Sequence, residues 1–163
     1  MNSKDIIETI AKSDVLADKC IGVFPVDMLH NAATAVNRCN IHNFCLVVNT
    51  DEKGMPGSHW LALYVAGSSG EFFDSLGKTL SSYDSRITRF FAKVGCISVT
   101  CNVNRFQLQG AVTCGQYCLY YLLYRTLGYS MRRILSSFSA SNRKQNEDIV
   151  NVFLSKLIKN TVE

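Results

Sequence analysis

Four side chains in this sequence have the types and the order that acyl transfer by a thiol requires. His59 opens the apolar run "HWLALYVAG", Asp74 follows in "EFFDSLG", Gln107 lies in the polar stretch "TCNVNRFQLQGAVT", and Cys114 enters "GAVTCGQYCLYYLLYR". A cysteine nucleophile needs a base to take or hold its proton, a group to orient that base, and donors to stabilise an oxyanion. Only three histidines are available, His30, His42 and His59, and His59 alone stands at the head of a strand-like run. Gln107, seven residues before Cys114, offers a side-chain amide for an oxyanion hole, with Gln109 as a competing choice.

These residues act only if the chain positions them. Cys114 falls at the first turn of an expected helix, where the helix N-terminus favours thiolate over thiol. Gly115 keeps the approach to the sulfur open. The residues that follow (Leu119, Tyr120, Tyr121, Leu122, Leu123) are apolar almost all round, so this helix belongs in the core and holds its first residue still. Along the run from His59, Trp60, Ala62 and Tyr64 share one face of a strand, and Leu61, Leu63 and Val65 share the other. Both faces are apolar, which predicts a central strand. "AGSSG" then reads as a turn and "EFFDSLG" as the partner strand of a hairpin, whose end brings Asp74 beside His59. The rival reading of Asp74 is a turn residue ahead of Ser75.

Elsewhere, Ser3 is placed to cap a first helix with Ile6, Ile7 and Ile10 as its apolar residues. "FPVDMLHNAATAV" reads as a short helical turn, "FCLVV" as a strand and "NTDEKGMPG" as a loop. Ile87, Phe90, Phe91 and Val94 recur at helical spacing, with serine near the start and Gly95 as the stop. "CISV" returns to strand character. Helices near "YSMRRILSSF" and from Ile149 to Ile158 finish the chain. The expected fold is α+β: a small, mostly antiparallel sheet packed by helices, with a central buried helix carrying Cys114 at its N-terminus.

The chain has 163 residues, the size of one domain spanning residues 1–163, and is 47% hydrophobic. No apolar run is long enough to span a membrane, and "MNSKDIIETIAKSD" lacks the apolar stretch of a signal peptide. Seven cysteines without repeated spacing imply free thiols in a reducing, intracellular compartment. No Cys-x-x-Cys pair suggests a zinc site, so no metal is expected. The net charge of +4, with Arg132, Arg133, Arg143, Lys144, Lys156 and Lys159 in the last third, permits contact with nucleic acid without requiring it.

"SHW", "FFDS", "FQ" and "TCGQYCLYYL", in the order His, Asp, Gln, Cys, resemble the cysteine proteases that unite adenain, the adenovirus maturation protease, with the SUMO-specific proteases. "VVNTDEKGMPGSHW" and "CISVTCNVNRFQ" are similar to the adenain branch, and the resemblance covers about residues 20 to 125. It implies Cys114 as nucleophile, His59 as general base and acid, Asp74 as orienting carboxylate (glutamate in adenain), and Gln107 as oxyanion donor. Trp60 corresponds to the tryptophan that narrows the substrate groove, a shape suited to glycine or another small residue before the scissile bond. In adenain the cysteine at the position of Cys96 forms a disulfide with a short activating viral peptide, and DNA is a further cofactor. The chemistry itself requires no cofactor. This chain is shorter than adenain at its C-terminal end, where some of the basic surface lies.

The implied function is a thiol endopeptidase that processes structural precursor proteins of a virus or virus-like element, at Gly-containing sites, in the host nucleus or virion. Two alternatives differ in substrate or class: a protease removing ubiquitin or a SUMO-like modifier from Gly-Gly conjugates, and an inactive module that binds protein or nucleic acid.

Overall fold

The strand that begins at Trp60 is the middle strand of a five-stranded sheet. The computed structural model describes residues 1–55 and 57–159. In chain order the elements are α1 (Ser3–Ala11), α2 (Asp14–Lys19), β1 (Cys20–Pro25), a 3-10 turn (Val26–Met28), α3 (Leu29–Arg38), β2 (Asn43–Asn49), β3 (Trp60–Ala66) and β4 (Ser69–Phe73). A second 3-10 turn (Leu80–Ser82) precedes α4 (Ser85–Lys93), β5 (Ser98–Cys101), α5 (Cys114–Thr126), α6 (Met131–Leu135) and α7 (Arg143–Lys159).

The sheet order is β1-β2-β3-β4-β5. β2, β3 and β4 form an antiparallel meander, whereas β1 runs parallel to β2 and β5 parallel to β4. The sheet is therefore mixed, with half of its pairings parallel rather than few. The crossover α4 explains one of them, because a parallel partner for β4 needs a connection that returns along the sheet.

Both faces of β3 are covered, as its apolar alternation requires. Trp60 and Ala62, with Cys45, Val47 and Phe73, pack under α1, α2, α5 and α6. Leu61, Leu63 and Val65, with Phe44, Leu46, Val48 and Phe72, pack under α3 and α4. The molecule is thus three layers, helix–sheet–helix. The Tyr121 ring stacks on Phe73 at 4.5 Å between centroids and 4° between planes. The Tyr121 hydroxyl donates to Glu71 of β4, and Arg125 donates to the same carboxylate at 2.6 and 3.0 Å. These contacts dock α5 on the sheet by apolar burial and by a paired charge, so its first residue has a fixed position.

The caps differ from expectation in detail. Asn2, not Ser3, caps α1, in a reciprocal box with Asp5, and Ile7 is half exposed. Asp84 rather than a serine caps α4.

Candidate active site

His59 immediately precedes β3 and Asp74 immediately follows β4. Ala62 is paired with Phe73, so extending the ladder sets Asp74 opposite Leu61, with His59 two residues further along and on the same face. That diagonal puts His59 Nε2 2.6 Å from Asp74 Oδ1. Cys114 lies near enough for its sulfur and the His59 ring to shift each other's titration. Cys114 reaches the same point from the opposite layer as the first residue of α5. The structure thus brings His59, Asp74 and Cys114 together at the end of the sheet.

Asp74 is fully buried and its carboxylate is saturated with donors. Oδ1 accepts from His59 and from the Leu76 N–H at 2.9 Å, while Oδ2 accepts from the Lys78 N–H at 2.9 Å and the Tyr83 hydroxyl at 2.8 Å. The turn amides and the imidazole use the same side chain. Burial raises the Asp74 pKa, but the bond to His59, its charge and the other donors outweigh it and hold the carboxyl below its ordinary range. His59 shows the converse. Burial alone would lower it, yet Asp74 and the Cys114 sulfur raise it to about 9. Burial pushes the Cys114 thiol up, and the His59 hydrogen bond and charge, with the Trp60 and Gly115 N–H groups, bring it below the ordinary thiol value. All three shifts favour an imidazolium between two anions.

A cleft of about 700 Å³ opens over His59 and Cys114, bordered also by Met1, Ser58, Trp60, Lys78, Tyr83, Gln107, Ala111 and Val112. Trp60 is buried in its wall, with the indole N–H donating to the Met1 carbonyl at 3.1 Å. Gln107 is buried and borders the cleft. Its carbonyl oxygen accepts the Ser75 hydroxyl at 2.6 Å, which orients the amide, and the NH2 group donates to the Ala111 carbonyl. One Nε2 hydrogen suffices for that bond. Gln109 is exposed and does not border the cleft, so position separates the two glutamines.

Gly115 lies elsewhere than expected. It does not border the cleft but is buried against the N-terminal segment, where a Cβ would stand 3.3 Å from both Met1 Cβ and Ile6 Cδ1. Its contribution to the site is through its backbone, which helps lower the Cys114 pKa. Cys96 is a partly buried free thiol in the turn between α4 and β5 and is no part of the cleft. Among the described residues no cluster of His, Cys, Asp and Glu is arranged to hold a metal ion, and no helix is long and apolar enough to cross a membrane.

Three contributors carry no signal in the sequence. Tyr83 meets Asp74 from the far side of the carboxylate, and its ring lies near-parallel to that of His59, 6.2 Å between centroids. Asn102 holds the Asp74 backbone, and Ser75 fixes Gln107.

The sequence matches no protein-family model and no curated protein. Among solved structures, the ASFV pS273R protease superposes with a TM-score of 0.64 at 19% identity, over 87% of this chain and 65% of that protein. AvrA, in its delL154 form with IP6 and CoA, gives 0.51 at 16% identity over 76% of this chain and 48% of its own. A de-sumoylating protease gives 0.47 at 14% identity over 98% and 79%. The aligned part spans 65% of the ASFV protein, and the fold of this chain is that of the ASFV pS273R protease.

Proposed function

We propose that the chain is a cysteine endopeptidase with Cys114 as nucleophile. The observation that carries this reading is the buried Asp74–His59 hydrogen bond with His59 and Cys114 bordering one open cleft, where His59 is raised to about 9 and Cys114 depressed. Both shifts favour a thiolate–imidazolium pair, the reactive form of such a nucleophile.

The thiolate attacks the scissile carbonyl carbon, forming a C–S bond and moving the carbonyl electron pair onto oxygen. The Gln107 amide and the backbone N–H groups at the start of α5 stabilise that oxyanion. His59 gives its proton to the amine as the C–N bond breaks, leaving a thioester. Neutral His59 then takes a proton from water, whose oxygen attacks the thioester and releases the acid. Asp74 keeps the ring oriented and its charged form favoured throughout.

The proposed substrates are structural precursor proteins cut beside glycine or another small residue. Trp60 and Val112 border the cleft at Cys114, and the ASFV protein of the same fold is a viral protease. The test is cleavage of a peptide library, with and without DNA, beside Gly-Gly conjugates of ubiquitin-like modifiers. Cys114→Ala and Cys114→Ser remain folded and cleave nothing. Full activity in either variant ends the reading. Preferential cleavage of the conjugates replaces the substrate class but keeps the chemistry.

A further inference from the structure

The loop from Leu108 to Thr113 joins the cleft glutamine to the helix of Cys114, and Leu108, Gly110, Ala111 and Val112 border the cleft. Both ends of this loop are held by one carboxylate from a remote helix. Glu147 of α7 is 9% exposed. Its Oε1 accepts the Leu108 N–H at 2.8 Å and the Tyr117 hydroxyl at 3.1 Å, and its Oε2 accepts the Thr113 hydroxyl. The adjacent Asn146 is fully buried and donates to the Phe106 carbonyl at 3.0 Å. The two residues flanking Gln107 in the chain are therefore both pinned to α7.

The bond from Thr113 is informative. Thr113 stands at the N-cap of α5, but its side chain makes no cap bond to its own helix. A cap hydroxyl would accept one of the free first-turn amides. Here the hydroxyl is turned outward as a donor to Glu147, and those amides stay available beside Cys114.

We propose that Glu147 is the positioning residue of the oxyanion loop: it sets the Gln107 amide and the first-turn amides of α5 in register through Leu108 and Thr113. This rests on the reading of Cys114 as nucleophile. Glu147 touches neither sulfur nor imidazole, so it governs stabilisation of the tetrahedral intermediate and not formation of the thiolate.

The experiment compares Glu147→Ala, Glu147→Gln and Thr113→Val with the wild-type chain in three measurements. The first is kcat and KM for peptide cleavage. The second is the rate of Cys114 alkylation by iodoacetamide, which needs the thiolate but no oxyanion hole. The third is affinity for a Gly-ended peptide aldehyde, whose hemithioacetal oxygen occupies the oxyanion position. For Glu147→Ala, kcat falls by about 10²–10³-fold, the loss typical of one oxyanion donor. Aldehyde affinity falls with it, while KM and alkylation are unchanged. Glu147→Gln keeps an acceptor for Leu108 and Tyr117 and retains most of kcat. Thr113→Val falls between the two. The proposal is overturned if folded Glu147→Ala keeps wild-type kcat and aldehyde affinity, or if alkylation falls in step with kcat. It is equally overturned if Gln is as damaging as Ala; should Ala fail to fold, the Gln and Val variants decide. Failure of the underlying reading is recognised separately, by an active Cys114→Ala control.

Discussion

Asn102 and Asp74 close a pair of hydrogen bonds. The Asn102 amide donates to the Asp74 carbonyl at 2.7 Å, and the Asp74 N–H donates to Asn102 Oδ1 at 2.8 Å. The parallel ladder between β4 and β5 ends at Phe72 and Cys101, so a side-chain amide continues the pairing where the backbones part. The residue that continues the ladder is therefore the one that locates the carboxylate facing His59. Asn102→Ala leaves the buried Asp74 N–H unpaired, while the Asp74 carbonyl keeps the Gly77 N–H, and costs about 1–3 kcal/mol of stability by the usual cost of such a group. Urea unfolding measures that loss, and kcat falls with it because Asp74 is no longer held.

Tyr83 supports the same carboxylate without touching the sulfur. Tyr83→Phe keeps the ring beside His59 and leaves Asp74 three donors: His59 and the Leu76 and Lys78 amides. Loss of one charge-assisted bond that makes a modest net contribution predicts a fall in kcat of about 5–10-fold, or about 1–1.4 kcal/mol, with KM unchanged. A raised KM at constant kcat would instead place the Tyr83 hydroxyl on the substrate, since it also borders the cleft.

The parts of the molecule legible in the sequence are those whose periodicity is apolar. β3 shows two apolar faces because it has a helical layer on each, and Ile87, Phe90 and Phe91 are the buried stripe of α4. β1 escaped because "CIGVFP" is a short edge strand with a glycine at φ +136° and a proline at its end. α7 reads as starting at Ile149, yet it begins at Arg143, because its first turns bury Asn146 and Glu147 against backbone rather than against apolar side chains. His59, Gln107 and Cys114, which border the cleft, and Asp74, which bonds His59, are singled out in the sequence by residue type and order. Tyr83, Asn102 and Glu147 are not, because each acts by a contact between segments that only the folded chain brings together.

Gly77 joins the turn after Asp74 to the segment leading to Gln107. Its N–H donates to the Asp74 carbonyl at 2.9 Å, and its φ is +68°. A Cβ there would stand 2.6 Å from the Arg105 nitrogen and from the Asn104 carbonyl carbon, and neither backbone atom can yield as a flexible side chain would. Gly110 has a similar φ of +79° but no atom within 4 Å of a Cβ. Alanine at Gly110 bears only the left-handed backbone penalty of about 1–2 kcal/mol. Alanine at Gly77 adds the clash and costs more than about 3 kcal/mol, in the range reserved for strained sites. Thermal unfolding of the two variants separates them; equal losses would show that the 104–105 segment moves aside freely.

The pH dependence follows from the two shifted groups. Cys114 titrates below the ordinary thiol value and His59 at about 9, so between them the pair is thiolate and imidazolium. Cleavage rises as the thiol ionises and falls as pH passes about 9, where His59 loses the proton it must give to the leaving amine. Alkylation of Cys114 rises with the same ionisation but does not fall at the alkaline end, because the thiolate persists. In His59→Ala only burial and the two amides act on the sulfur, and burial is the largest influence on it. The thiol then titrates higher than in the wild-type chain, and alkylation at neutral pH drops. Stability has matching signs. The raised His59 contributes fully below its unfolded value of about 6.5 and loses that contribution as pH climbs through about 9. The depressed Asp74 contributes above its unfolded value of about 3.9 and loses its part as pH falls through the lower folded value. On these two groups the plateau runs from about pH 4 to 6.5, while the depressed Cys114 opposes the alkaline loss, because its contribution is gained as pH rises through its folded value. Asp74→Asn flattens both edges, since the same contact raises one group and lowers the other. A variant that kept the alkaline edge in stability would show that Cys114 alone holds His59 charged.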